Sequence, residues 1–181
     1  AVGRAALSAN TTADNNTAVG FESLKVNTTG AQNTAIGSAA GVSITTGDDN
    51  TAVGSDALGS NTTANDNSAF GKAALGANTT GHSNTAMGSA AGDAITTGDQ
   101  NVTVGKGSLT TLTTGNQNVA LGQSALEAAT TGNANVAVGA NTGGAVTSGS
   151  NNIYLGKDAG LSGSPGGNQT DGSNEIGFGD E

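Results

Sequence analysis

The sequence predicts an all-β protein, a β-solenoid or β-roll of parallel strands in ten turns with a 17-residue period. Three observations carry that prediction. A five-residue motif returns at a constant interval, threonine pairs return at the same interval half a turn away, and large side chains are too scarce for a thick core.

The motif Asn-Thr-Ala-Val-Gly stands at 16–20, with relatives at 33–37, 50–54, 67–71, 84–88, 101–105, 118–122, 135–139 and 152–156. Its closing glycines are Gly20, Gly37, Gly54, Gly71, Gly88, Gly105, Gly122, Gly139 and Gly156, with Gly3 ahead of them, and every interval is 17. About one residue in six is glycine, so ten in one register arise by chance with odds of about 10⁻⁸. Repetition of this kind argues against disorder, which the Gly-rich composition alone would allow.

The other half of each unit repeats as Thr-Thr at 11–12, 28–29, 45–46, 62–63, 79–80, 96–97, 113–114 and 130–131, with Thr147-Ser148 next. Each unit therefore reads as two short β-prone stretches joined by small, Asn-rich corners. A slower rhythm, three units long, overlies this: Leu24, Gly41, Leu58, Leu75, Gly92, Leu109, Leu126, Gly143. Where Leu gives way to Gly, an aliphatic follows three positions later as Ile44, Ile95 or Val146. The exchange predicts that both slots point into one interior across a bend. Leu112 departs from the rule, because Leu109 is also present.

A lone 17-residue unit cannot hold itself, because ordering costs about 1–2 kcal/mol per residue and a buried Val or Leu returns only about 1.5–3 kcal/mol. Units must stack, about 4.8 Å apart, which makes ten turns a rod about 45 Å long. The column before the glycine is Val19, Ile36, Val53, Phe70, Met87, Val104, Leu121, Val138 and Leu155, and it is expected to form the core ladder. One position earlier stand Ala18, Ala35, Ala52, Ala69, Ala86, Ala120 and Ala137, on the opposite strand face. Their uniform smallness is expected to mark a subunit contact face, in a homotrimer. On this assignment Val53→Asp breaks the interior and Ala52→Arg spares a single solenoid.

After Gly156 the register breaks, with the lone Pro165 among several glycines, and a longer step leads to the next closing glycine, Gly179. Residues 1–160 are read as the β-roll, and 161–181 as an irregular cap or a junction to a following domain. The chain opens in mid-repeat, which reads as a segment of a longer polypeptide.

Composition narrows the function. Five Lys and Arg stand against 14 Asp and Glu, a net charge of −9, which opposes binding to nucleic acid and to anionic membranes. No apolar run approaches a membrane span, and cysteine is absent, so disulfides and thiolate metal sites are ruled out. With three Phe, one Tyr and no Trp, stacking on sugars has little to work with.

At these residues the chain resembles the head repeats of trimeric autotransporter adhesins and the Asn-Thr-Ala-Val-Gly arrays of phage tail fibres. Asn33-Thr34-Ala35-Ile36-Gly37, Asn50-Thr51-Ala52-Val53-Gly54 and their copies carry the resemblance over nearly the whole chain. It implies a left-handed parallel β-roll, three chains side by side, on a cell or virion surface. The repeat of the adhesin heads is shorter than the 17-residue unit of this chain.

Candidate chemical sites are few. His82, the single histidine, occupies the corner slot of Asp14, Asp48 and Asp99, so it reads as a solvated turn residue. Gly71-Lys72, Gly105-Lys106 and Gly156-Lys157 lack the remaining residues of a phosphate loop. No cofactor is implied; the one metal candidate is Ca²⁺ at the corner of Asp14, Asp48, Asp49, Asp66 and Asp99. The sequence leads to a non-enzymatic segment of an extracellular fibre, an adhesin or tail fibre, presenting a region for an unknown surface receptor. Two alternatives stand beside it: a filament subunit stacked end to end, and an ice-binding solenoid using a Thr ladder.

Overall fold

The computed structural model describes residues 1–161 and 171–179. Ten short strands form a single parallel sheet in chain order: β1 (Thr17–Val19), β2 (Thr34–Ile36), β3 (Thr51–Val53), β4 (Ser68–Phe70), β5 (Thr85–Met87), β6 (Val102–Val104), β7 (Val119–Leu121), β8 (Val136–Val138), β9 (Ile153–Leu155) and β10 (Ile176–Phe178). The protein is a β-solenoid, with no helix among the described residues.

The register follows the sequence repeat. Ala18 lies beside Ala35 and Ala35 beside Ala52, each one repeat further along the chain. Between β9 and β10 the step lengthens, pairing Ile153 with Ile176 and Leu155 with Phe178. The span 161–181 therefore contributes a further rung of the sheet, where an irregular cap is expected from the sequence. The break around Pro165 lies outside the described residues.

Each unit holds one strand, not two. The Thr pairs lie in bends, yet they still ladder: the Thr28 N–H donates to the Thr45 carbonyl at 2.9 Å, and the Thr28 hydroxyl donates to the same oxygen at 3.1 Å. After each strand the chain curls through left-handed conformations, as at Glu22 (φ 56°) and Leu24 (φ 48°). A left-handed non-Gly residue costs about 1–2 kcal/mol. The curl is held by rung-to-rung bonds such as Leu24 N–H to the Ala40 carbonyl, 3.1 Å.

The interior is the reverse of the sequence expectation. Ala18, Ala35, Ala52, Ala69, Ala86, Ala120 and Ala137, expected at a subunit contact, are the buried wall of the solenoid. Val19, Ile36, Val53, Phe70, Met87, Val104, Leu121, Val138 and Leu155, expected as the core ladder, point outward and are exposed or half-buried. The reason is geometric. Alternation puts the first and third residues of each strand on one face and the middle residue on the other. So short a loop encloses little space, and Leu24, Leu58 and Leu75 already fill it from the opposite wall, so a methyl is what fits on the strand side.

That interior explains the Leu–Gly exchange. A Cβ on Gly41 would stand 3.0 Å from Ile44 Cδ1 and 3.1 Å from Leu24 Cδ2. Ile44 thus occupies the room a Leu would take, and Ile95 does the same beside Gly92. The two slots share one chamber across a bend, as the sequence predicts. Leu109 and Leu112 are both fully buried, so that turn carries both.

Candidate functional site: the outer face of the sheet

The glycine that closes each motif fixes where this face ends. Gly20 has φ +136°, and a Cβ there would meet the Gly37 carbonyl oxygen at 2.3 Å, so only glycine allows the next rung so close. The expected turn glycines all hold this position, Gly20, Gly37, Gly54, Gly71, Gly88, Gly105, Gly122, Gly139 and Gly156, each at positive φ.

Between its corners the sheet turns two columns outward. One is Thr17, Thr34, Thr51, Ser68, Thr85, then Val102, Val119, Val136, Ile153, Ile176; the other is the Val19-to-Phe178 column. None of the ten strands described contains a charged residue. Ten strands about 4.8 Å apart and about 10 Å wide present about 450 Å² in flat projection, within the size range of the largest surface patch of a typical monomer, which is often functional. Single-chain exposure reaches 47% at Met87 and 60% at Phe178.

Charge gathers along the two borders of this face. Where the chain leads into the strands lie Asp14, Asp48, Asp49, Asp66 and Asp99. Where it trails out lie Arg4, Lys72, Lys106 and Lys157, all exposed, interspersed with the acids Glu22, Asp56 and Asp158. Lys157 pairs with Asp158 at 3.3 Å and Arg4 lies 5.6 Å from the Phe21 ring centroid, whereas Lys72 and Lys106 make no ion pair among the described residues. The Asp158 carboxyl is held below the usual range by its Asn141 bond, then by Lys157.

The Asp corner is a hydrogen-bonded column. Asp48 Oδ1 accepts the Ala31 N–H at 2.7 Å, and Asp99 Oδ1 accepts the His82 N–H at 2.7 Å. His82 Nδ1 accepts the Asn65 N–H at 3.0 Å. Asn65 and His82 stand between Asp48 and Asp99 in the column, and no group of three His, Cys, Asp or Glu gathers as a metal requires among the described residues. The second Thr of each pair, as at Thr63, Thr80 and Thr97, is exposed.

Sequence reasoning missed the role of the motif asparagines. Asn33 through Asn152 are buried and form an internal ladder at the leading corner. Asn84 shows the pattern: its Nδ2 donates to the Gly98 carbonyl at 2.7 Å, and its Oδ1 accepts the Asn101 N–H at 2.9 Å and Asn101 Nδ2 at 3.1 Å. An Asn repeated in every copy of a buried apolar motif was the available signal, since a buried amide must find partners. In the last rung Glu175 takes this place, its N–H donating to Asn152 Oδ1 at 3.0 Å.

Tyr154 fills the interior beside that rung. Burial, then the nearby Glu175 charge, then the 3.4 Å hydrogen bond to Glu175 Oε2 push its phenol up to about 12. No helix among the described residues is long and apolar enough to cross a membrane. No protein-family model matches the chain, nor does any curated protein or solved structure.

Proposed function

We propose that the chain is a structural, non-enzymatic segment of an extracellular fibre in which three copies lie side by side through the outer face of the sheet. The uncharged length of that face, with an apolar outward residue on every rung, carries the reading. An occupant that matches it along its whole length needs the same rung spacing, and a second copy of the chain has it. Charge supports the same occupant. Around a shared axis, copies running in one direction set the acidic leading border of one beside the mixed trailing border of the next, where Lys72 and Lys106 stand, whereas opposed neighbours set two acidic borders together. Lys72 and Asp66 flank β4, and Lys106 and Asp99 flank β6, so such pairs meet at the same level. Small residues inside and laddered bonds along the rod give a stiff spacer able to present a receptor-binding region.

The experiment is the solution mass of the purified chain by light scattering. Three times 17.1 kDa supports the reading, and a monomer at every concentration overturns it. A second reading, ice binding, is favoured by the exposed column through Thr63, Thr80 and Thr97. Its test is ice-growth shape, with bulky residues at those three positions abolishing any effect.

A further inference from the structure

The outer face changes character halfway along. In β1 to β5 the first outward residue is Thr17, Thr34, Thr51, Ser68 and Thr85; in β6 to β10 it is Val102, Val119, Val136, Ile153 and Ile176. The first five rungs therefore pair one hydroxyl with one apolar residue, and the last five present two apolar residues each. The borders change one rung later, since Asp99 and Lys106 still flank β6, and an acid returns as Glu175 ahead of β10. All five leading-border Asp lie on or before the β6 rung, while the leading border of β7 to β9 is Asn116-Gln117, Asn133-Ala134 and Ser150-Asn151. Its trailing border is Gln123, Ala140 and Lys157, the last already paired with Asp158.

We infer that self-association is anchored on the C-terminal half of this face, β6 to β10, and that the N-terminal half is a weaker, salt-sensitive annex that sets direction. This rests on the side-by-side reading above. An uncharged surface with two apolar residues per rung loses water at little polar cost, whereas every Thr buried in β1 to β5 brings a hydroxyl whose water must be replaced. The charges flanking β1 to β6 act through solvent, where salt screens them within about 10 Å at 0.1 M. A second copy is the occupant because the apolar columns repeat at its own spacing and Lys72 and Lys106 on the trailing border stand level with Asp66 and Asp99 on the leading one.

The test compares near-isosteric substitutions on full-length chains by sedimentation over a dilution series. Val119→Thr/Val136→Thr/Ile153→Thr is expected to raise the midpoint concentration for dissociation by about 100-fold or more. Val19→Thr/Ile36→Thr/Val53→Thr is expected to raise it by less than about tenfold, and by an amount that varies with salt. Circular dichroism checks that each variant folds. Thr34→Val/Thr51→Val/Thr85→Val, which adds apolar rungs, is expected to tighten assembly and remains readable if a loss variant misfolds. Equal or larger weakening by the N-terminal triple, in a parent that does assemble, overturns the anchoring alone. A monomeric parent overturns the side-by-side reading with it and assigns the face to a different partner.

Discussion

The ring of Tyr154 lies over Gly177 on the next rung, where a Cβ would stand 2.7 Å from the ring's Cδ1. Gly160 leaves room beside the same ring edge, with 2.6 Å to the same atom. A tyrosine in the alanine column is therefore tolerated because two glycines, one of them beyond the longer step of the chain, make space for it.

Gly177→Ala is expected to destabilise the chain by about 1–3 kcal/mol through overpacking. Tyr154→Ala opens a cavity of its own, yet in that background Gly177→Ala should cost little. A double-mutant cycle by urea unfolding reads the coupling, and additivity between the two sites contradicts the contact.

The same tyrosine gives an alkaline signature. The unfolded phenol titrates near 10 and the folded one at about 12, so the unfolded chain releases its proton first. Stability from this group is complete below about pH 10, declines from about 10 to 12, and levels off above. Tyr154 is the single tyrosine, so its absorbance titration reports directly, and Tyr154→Phe should remove the slope. A folded-state midpoint near 10 contradicts the burial.

The inverted faces make two adjacent substitutions diagnostic. Ala52→Arg puts a charge into the filled interior and should unfold the chain, costing above about 3 kcal/mol. Val53→Asp stands on the outer face and should leave circular dichroism and melting close to the parent's while weakening self-association. Thermal melts and light scattering on both variants decide it; unfolding by Val53→Asp alone restores the opposite assignment.

Asn84→Ala leaves the Gly98 carbonyl and the Asn101 N–H without their partner in a dry corner. The expected cost is about 2–4 kcal/mol, with amide exchange accelerated at Asn101. Protection at Asn101 equal to the parent's contradicts the ladder.

Asp93 Oδ1 is buried without a partner, and burial pushes the carboxyl up, against bonds from its own N–H and that of Ala94. A raised carboxyl contributes stability below its unfolded range near pH 4 that is lost as pH rises through the folded value. Asp93→Asn should therefore raise the melting temperature at pH 7, by an amount that shrinks toward pH 4.

The period of the glycines in the sequence located every strand from β1 to β9, whereas β10, beyond the longer step to Gly179, falls where an irregular cap or junction is expected. The Leu24–Gly41–Ile44 exchange was legible because complementary losses and gains of volume show in a column without any coordinates. The faces were not. Hydrophobicity ranks Val19 above Ala18, but a narrow loop whose far wall is Leu24 admits only the smaller residue, and single-sequence reading has no measure of that width. Asn33 and its copies were seen as corners because the partners of each amide, such as Gly47 and Asn50 for Asn33, come close only once the chain is wound.

The one-turn register also determines how the rod answers a pull. One rung adds only about 4.8 Å to its length, but a rung peeled from an end frees a whole turn of chain that stretches to about 55–60 Å. The chain is wound like line on a reel, and a load that strips a few rungs gains more than about ten times their height in reach. Tension is absorbed as slack, with the rest of the spool unopened.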